Sequence, residues 1–291
     1  MKPEKIYIFA NPNARNKNQK KLEAAKDLLS QQIATEIIFT QSPEHATQKA
    51  KELSANTGNI IAPCGGDGTI NSVIQEMNEN STLGIIPAGT ANVIARELGI
   101  PLDIREAAKN LLTGAIQKVD TGLCNGRRFL FVAGIGFDAH VAAKVSPFLK
   151  KTTGKIAYHI STFKELLTYK APSLRLRLDN QPKEIKAEFI IIANMRRYGG
   201  DLFFAPEAMH NDGVLNLVVA KKLNSSTLFK LFNFARRKAP FPGEVATSIK
   251  AQSFQIQAEA PTPYQLDGEV FGATQTFYFT INKQKLNILT P

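Results

Sequence analysis

The residues best equipped for chemistry lie in two glycine turns and one acidic turn. Asn59-Ile60-Ile61-Ala62-Pro63 reads as a short buried strand, and Cys64-Gly65-Gly66-Asp67-Gly68-Thr69-Ile70-Asn71 follows at once. Glycine lets backbone amides approach a ligand without Cβ interference, and the positive end of a following helix favours a bound anion, so this layout suits a phosphate. Asp67 would repel a bare triphosphate; it makes sense there if Mg²⁺, or a water on Mg²⁺, lies between them. On that reading its Asn variant loses activity far more than stability. A tight strand-to-helix bend with a solvated Asp is the plain alternative, since short glycine motifs are common. Pro87-Ala88-Gly89-Thr90-Ala91-Asn92 is a second such turn. Thr69 and Thr90 can donate hydroxyl hydrogen bonds to phosphate, and Asn71 and Asn92 can offer amides.

The acidic turn is Gln265-Leu266-Asp267-Gly268-Glu269. Asp-Gly between two strands ordinarily makes a hairpin. The functional alternative is that Glu269 accepts a proton from a substrate hydroxyl as that hydroxyl attacks a γ-phosphate, the part a carboxylate plays in phosphoryl transfer. Cys64 and Cys124 are the two cysteines, without metal or disulfide spacing. Cys64 reads as a packed, inert thiol, because no histidine lies near it in sequence. His45, His140, His159 and His210 show no metal spacing, although His210 adjoins Asp212.

The elements that must position these residues alternate in the first half. Lys5–Ala10 reads as a buried strand closed by Asn11-Pro12-Asn13, and Gln19–Gln32 as a helix whose Leu22, Ala25, Leu28 and Leu29 share a face. Thr35–Phe39 is a strand. Ser42 caps a second helix that has Pro43 at its first position. Strands at Asn59–Pro63 and Thr82–Pro87 lead into the two glycine turns, each opening a helix, the second of which stops at Gly99. A helix over Asp103–Thr113 and a strand over Ala115–Asp120 follow. Such alternation predicts a parallel sheet covered on both faces, with ligands at the carboxyl ends of its strands. From about Gly122 strands succeed one another without helices: Arg128–Ala133, Leu174–Leu178, Glu184–Asn194, Val214–Ala220, Ala246–Gln257 and Thr274–Ile281, with helical inserts at Gly154–Tyr169 and Ser225–Lys238. The fold class is therefore α/β: a parallel-sheet nucleotide-binding domain over 1–122, to which a terminal strand at 283–291 can return, and a mainly antiparallel β domain over 123–282, with the active site in the cleft between them.

A formal charge of +11 suggests an anionic partner without choosing among nucleotide, nucleic acid and anionic membrane. Nucleic acid ranks last, because the basic residues are dispersed and no interleaved aromatic platform appears. No segment reaches the roughly 18 uninterrupted apolar residues of a membrane span. With so few cysteines and no signal sequence at the N-terminus, a cytoplasmic location is expected, with membrane association peripheral at most. The Ser225–Lys238 helix carries Leu228, Phe229, Leu231, Phe232 and Phe234, then Arg236-Arg237-Lys238 and Pro240-Phe241-Pro242. That pattern suits either core packing or docking on an anionic membrane.

Taken together, Gly65-Gly66-Asp67-Gly68-Thr69, Pro87-Ala88-Gly89-Thr90-Ala91-Asn92-Val93-Ile94-Ala95-Arg96, Gly134-Ile135-Gly136-Phe137-Asp138, Asp212-Gly213 and Asp267-Gly268-Glu269 resemble the diacylglycerol kinase catalytic family, in its bacterial soluble lipid kinase branch, which is related to sphingosine kinases. The resemblance runs from Asn11 to Glu269 with the motifs in order. Gly-Gly-Asp-Gly-Thr is shared with NAD kinases, whereas the Pro-x-Gly-Thr-x-Asn turn followed by Ala95-Arg96 points to the lipid branch.

The resemblance implies an ATP site over Asn11, Pro12, Asn13, Ala14, Arg15, Thr40, Gly65, Gly66, Asp67, Gly68, Thr69, Ile70, Asn71 and Thr90. It implies Glu269 as general base, and a structural Mg²⁺ site at Asp212 with main-chain oxygens of Met209 and Val214; Asp67 is the second catalytic candidate, acting through Mg²⁺. The expected cofactors are ATP and Mg²⁺; the expected partners are a lipid substrate and, peripherally, an anionic membrane, with a homodimer left open. Two departures stand out: Arg15 occupies a position where many members carry a loop glycine, and Asp201 ends a run, Gly199-Gly200-Asp201, that is three glycines in the family. The other readings are an NAD kinase and a non-catalytic nucleotide- or lipid-binding module of the same fold.

Overall fold

The computed structural model describes residues 3–10, 15–144, 169–179, 181, 183–199 and 201–291. The chain divides into two compact units, Met1–Thr121 with Asn282–Pro291, and Gly122–Ile281.

The first unit is built on parallel strands, as its alternation of strands and helices predicts. β1 (Lys5–Ala10) pairs in parallel with β2 (Ala34–Phe39) on one side and β3 (Asn59–Gly65) on the other. All of β3 is buried, consistent with a continuous apolar run covered on both faces. The single strand expected over Thr82–Pro87 is two short pieces, β4 (Thr82–Leu83) and β5 (Ile86–Pro87), both parallel to β3. Helices pack where the sequence supplies caps. α1 (Arg15–Ser30) buries Leu22, Ala25 and Leu29; α2 (Pro43–Leu53) starts at Ser42, whose hydroxyl accepts the His45 amide at 3.2 Å. α3 (Asp67–Ile74) and α4 (Val93–Glu97) follow the two glycine turns, and α5 (Ile104–Thr113) is capped by Asp103. β6 (Ala115–Cys124) comes next.

The second unit is antiparallel. β7 (Arg127–Phe129), β8 (Val132–Ile135), β9 (Leu174–Leu178), β10 (Ile185–Ala187), β11 (Phe189–Ala193), β12 (Leu215–Ala220), β13 (Thr247–Ala251), β14 (Ser253–Leu266) and the start of β15 (Glu269–Thr290) supply its strands. Their order runs β13-β12-β11-β8-β14-β15, with β9 pairing both β14 and β10. A core under these strands includes Phe129, Leu176, Ile190, Leu217, Phe254, Ile256, Leu266 and Phe277. Several runs read as one strand are broken in two, at Leu130–Phe131, at Glu188 and at Gln252. Conversely, the run Thr274–Ile281 and the terminal strand expected at 283–291 are one strand, β15, whose Asn287 and Ile288 pair in parallel with Thr82 and Leu83. The structure also contains α6 (Phe137–Lys144), which has no counterpart among the expected elements, and α7 (Ser225–Arg237), which matches the helix expected at Ser225–Lys238. The helix expected at Gly154–Tyr169 falls, apart from Tyr169, outside the described residues.

Candidate active site

The two glycine turns of the first unit are one construction. β5 runs beside the end of β3, pairing Cys64 with Ile86 and Gly65 with Pro87, and Ala88 donates its amide to Gly65 O at 2.9 Å. Both turns therefore leave the sheet at the same strand ends. Gly66 then starts α3, its carbonyl accepting the amides of Thr69 at 3.0 Å and Ile70 at 3.2 Å. The glycines are there for space. A Cβ on Gly65 would stand 2.3 Å from Thr69 Oγ1, and one on Gly89 would stand 2.4 Å from the Cα of Gly66. Backbone meets backbone at that point, which only glycine permits.

Asp67 joins the turns. Its Oδ2 accepts the Val93 amide and its Oδ1 the Ile94 amide, each at 3.0 Å. These are first-turn donors of α4 that would otherwise lack a partner inside the helix. The residue ahead of them, Asn92, sits in the left-handed region at φ 48° and spends its side chain elsewhere: Oδ1 accepts the Gly89 amide and Nδ2 donates to Gly89 O, both at 3.0 Å. Asn71 is similarly engaged, 2 % exposed, with Gln75 Nε2 donating to its Oδ1 at 3.0 Å. Thr69 is half-buried and Thr90 is exposed at the tip of its turn. Thr40 lies at the end of β2 beside Ala10, to which its amide donates at 3.0 Å. Asn11, Pro12, Asn13 and Ala14 lie outside the described residues, and Arg15 is the first residue of α1.

In the second unit, Asp267-Gly268 forms a two-residue hairpin between β14 and β15, with Leu266 paired to Glu269. Both central residues have positive φ, 52° and 83°, the geometry that favours Asp-Gly. Asp267 is 3 % exposed, and its carboxylate accepts three successive amides, Leu130 at 2.7 Å, Phe131 at 2.9 Å and Val132 at 3.1 Å. The hairpin is thus pinned, and Glu269, half-buried, opens β15 directly after it. The anchoring role of Asp267 was not visible in sequence, because its partners lie about 135 residues away.

For a metal the two acidic positions differ. Asp212 Oδ1 accepts the Val214 amide at 3.3 Å, and its Oδ2 lies 3.7 Å from the Lys250 ammonium. No cluster of three His, Cys, Asp or Glu side chains occurs among the described residues. The expected set there has one carboxylate with main-chain oxygens, and the ammonium of exposed Lys250 and a divalent cation are alternative partners for that carboxylate. At Asp67 each oxygen holds one amide, and since a carboxylate oxygen can accept more than one hydrogen bond, the donor set fits a metal-bound water.

α7 shows how its apolar residues are used. Leu228 and Leu231 are buried; Phe232 and Phe234 join Phe204 and Phe241 in an aromatic cluster with centroids 6.1–6.3 Å apart. Phe229 alone of the five projects, 63 % exposed, and the same helix exposes Lys230, Arg236 and Arg237. Among the described residues no helix is long and apolar enough to cross a membrane.

Comparison with known proteins places these features in a family. The sequence model of the diacylglycerol kinase catalytic domain matches residues 5–124, and that of the YegS C-terminal NAD kinase beta sandwich-like domain matches residues 132–290. The chain belongs to the diacylglycerol kinase family. A diacylglycerol kinase of Bacillus subtilis is 30 % identical over 231 residues, covering 78 % of this chain and 76 % of that one. The crystal structure of a diacylglycerol kinase from Bacillus anthracis superposes with a TM-score of 0.77 at 26 % identity, covering 100 % of this chain and 98 % of that one. An NAD kinase from Archaeoglobus fulgidus, solved with ATP, shares the fold at a TM-score of 0.53 and 13 % identity, covering 99 % of this chain and 93 % of that one.

Proposed function

We propose that this member of the family is an ATP- and Mg²⁺-dependent lipid kinase that phosphorylates the free hydroxyl of a diacylglycerol-like lipid. The observation that carries the reading is the meeting of Gly66 and Gly89 under the Asp67 staple, which brings two amide-rich turns to one end of a parallel sheet. Such turns suit the oxygens of a triphosphate, with the hydroxyls of Thr69 and Thr90 as further donors. Asp67 would hold Mg²⁺ through water, and the metal would supply charge neutralisation for the phosphoryl oxygens when bound with the nucleotide. Glu269 takes the proton of the attacking hydroxyl, and the rigid hairpin limits the reorganisation this requires. Because the acceptor is a lipid, the protein meets it at a membrane surface, where Phe229 and the exposed cations of α7 suit anionic headgroups.

The test is phosphoryl transfer from labelled ATP to diacylglycerol, monoacylglycerol, sphingosine, undecaprenol and NAD in parallel. Transfer to diacylglycerol or another of the lipids is expected. Transfer to NAD alone would overturn the lipid reading in favour of the NAD kinase activity that the shared fold also admits.

A further inference from the structure

Asp138 is a buried acid that the proposed chemistry does not use. It lies in the first turn of α6, 5 % exposed, within the Gly134-Ile135-Gly136-Phe137-Asp138 run. Its Oδ1 accepts the Tyr198 hydroxyl, and its Oδ2 accepts Gln265 Nε2 at 2.6 Å. Gln265 is itself 2 % exposed, on β14 opposite Gly134 of β8. A Cβ on Gly134 would fall 1.7 Å from Asp138 Oδ2, so the glycine is what lets β8 pass the carboxylate. At its other end Gln265 Oε1 accepts the Gly268 amide at 2.7 Å. Gly268 is the second central residue of the hairpin, and Glu269 is next.

A side-chain amide has a donor end and an acceptor end, and nothing in its shape decides which way it points. Its neighbours decide. A carboxylate oxygen in contact with it calls for the NH₂ group, which leaves Oε1 for the Gly268 N–H. With the amide reversed, N–H would face N–H at Gly268, and the buried NH₂ group of Gln265 would lose its acceptor. Burial pushes the Asp138 carboxyl above the usual carboxylate range, against the pull of Tyr198 and Gln265. Protonation of the oxygen facing Tyr198 leaves the contact with Gln265 intact, since a tyrosine oxygen can also accept.

We infer that Asp138, acting through the amide of Gln265, is a positioning residue for Glu269: it sets which end of that amide meets the Gly268 N–H, and so holds the turn from which Glu269 begins β15. The inference rests on the reading of Glu269 as general base. It assigns a role to the Gly-Ile-Gly-Phe-Asp run, and it separates two supports of the hairpin, Asp267 on the Leu130–Val132 amides and Asp138 on Gly268.

The experiment measures kcat and the KM for ATP, with 1,2-dioleoylglycerol in mixed micelles as acceptor, for Asp138→Ala, Gln265→Leu, their double variant, Asp138→Asn and Glu269→Gln. Amide hydrogen exchange is followed in the same proteins. Asp138→Ala and Gln265→Leu are each expected to lower kcat about tenfold with the KM for ATP unchanged, and to speed exchange at Gly268. Exchange at Leu130, Phe131 and Val132, which Asp267 holds, should stay slow. The double variant should be no worse than the poorer single one, because both act on one path. Asp138→Asn should recover most of kcat, its carboxamide oxygen still accepting from Gln265. Unchanged exchange at Gly268 overturns the inference, as do multiplicative losses in the double variant. Wild-type kcat in Asp138→Ala while Glu269→Gln is inactive overturns it alone. Full turnover in Glu269→Gln refutes the general-base reading and the inference with it. Where Asp138→Ala does not fold, Gln265→Leu decides, since it leaves Asp138 bonded to Tyr198.

Discussion

Gly66 and Gly89 approach so closely that a single methyl group on Gly89 would stand 2.4 Å from the Cα of Gly66. The approach is not reciprocal. A Cβ on Gly66 would lie 3.4 Å from the Cα of Gly89. Gly66 also has φ −90°, which alanine adopts without strain. The two substitutions should therefore differ. Gly89→Ala should cost about 1–3 kcal/mol by overpacking, and weaken ATP binding by parting the turns. Gly66→Ala should stay within about 1 kcal/mol of wild type. Urea denaturation and calorimetric titration with ATP check both; equal losses for the pair would contradict the contact.

Asp67→Asn should destabilise the first unit measurably. An Asn presents one NH₂ where two carboxylate oxygens now accept the Val93 and Ile94 amides. Leaving a buried donor unpaired costs about 1–3 kcal/mol. This narrows the expectation drawn from sequence, that the variant loses activity far more than stability: both should fall. A wild-type denaturation midpoint would show that the staple contributes little.

Glu269→Gln should remove turnover, by a factor of about 10²–10⁴ for loss of a general base, while ATP affinity and the melting temperature hold. Rapid-quench assay and thermal denaturation separate the two. Undiminished turnover would refute the assigned role.

Stability should carry the signature of Asp138. Its folded carboxyl is raised above the ordinary value by burial, so the folded state binds the proton more tightly than the unfolded chain does. The associated stabilisation is complete below the unfolded carboxylate value of about 3.9 and is lost as pH rises through the folded value. Asp138→Asn cannot ionise and lacks that loss. Its melting temperature relative to wild type should climb between acid and neutral pH, and a constant difference would argue against a raised carboxyl.

Both thiols should be silent in the native protein. Burial pushes Cys64 and Cys124 up to about 12, so neither is a thiolate near neutral pH. A disulfide reagent at pH 8 should find no reactive thiol until denaturant is added and then find two. Fast native labelling of Cys64 would overturn the packed-thiol reading.

Much of this was legible because it is local. Ser42-Pro43 marks the start of α2 through a cap that needs only His45, and Gly99, at φ 70°, ends the helix after the second turn. The two glycine turns could be placed at one end of one sheet from strand alternation alone. What escaped depends on distant partners. A carboxylate amid glycines reads as a ligand for something outside the protein, whereas Asp67 also serves amides 26 and 27 residues on. The polar residues that follow Ile281 read as the end of a strand, yet β15 continues through them, because hydrogen-bonded pairing does not require apolar alternation. α6 was missed because Phe137-Asp138-Ala139-His140 follows glycines without a helical apolar stripe.

β15 has a consequence for how the molecule is made. The first unit includes Asn282–Pro291, and Leu289 and Thr290 are tied into it through Asn110 and Ala115. On the ribosome its sheet therefore waits, with β4 paired to β3 alone and lacking its second neighbour, until the whole of Gly122–Ile281 has been synthesised. Pairings this remote in sequence form slowly. The first unit should be the last part to become protease-resistant, although most of it is translated first.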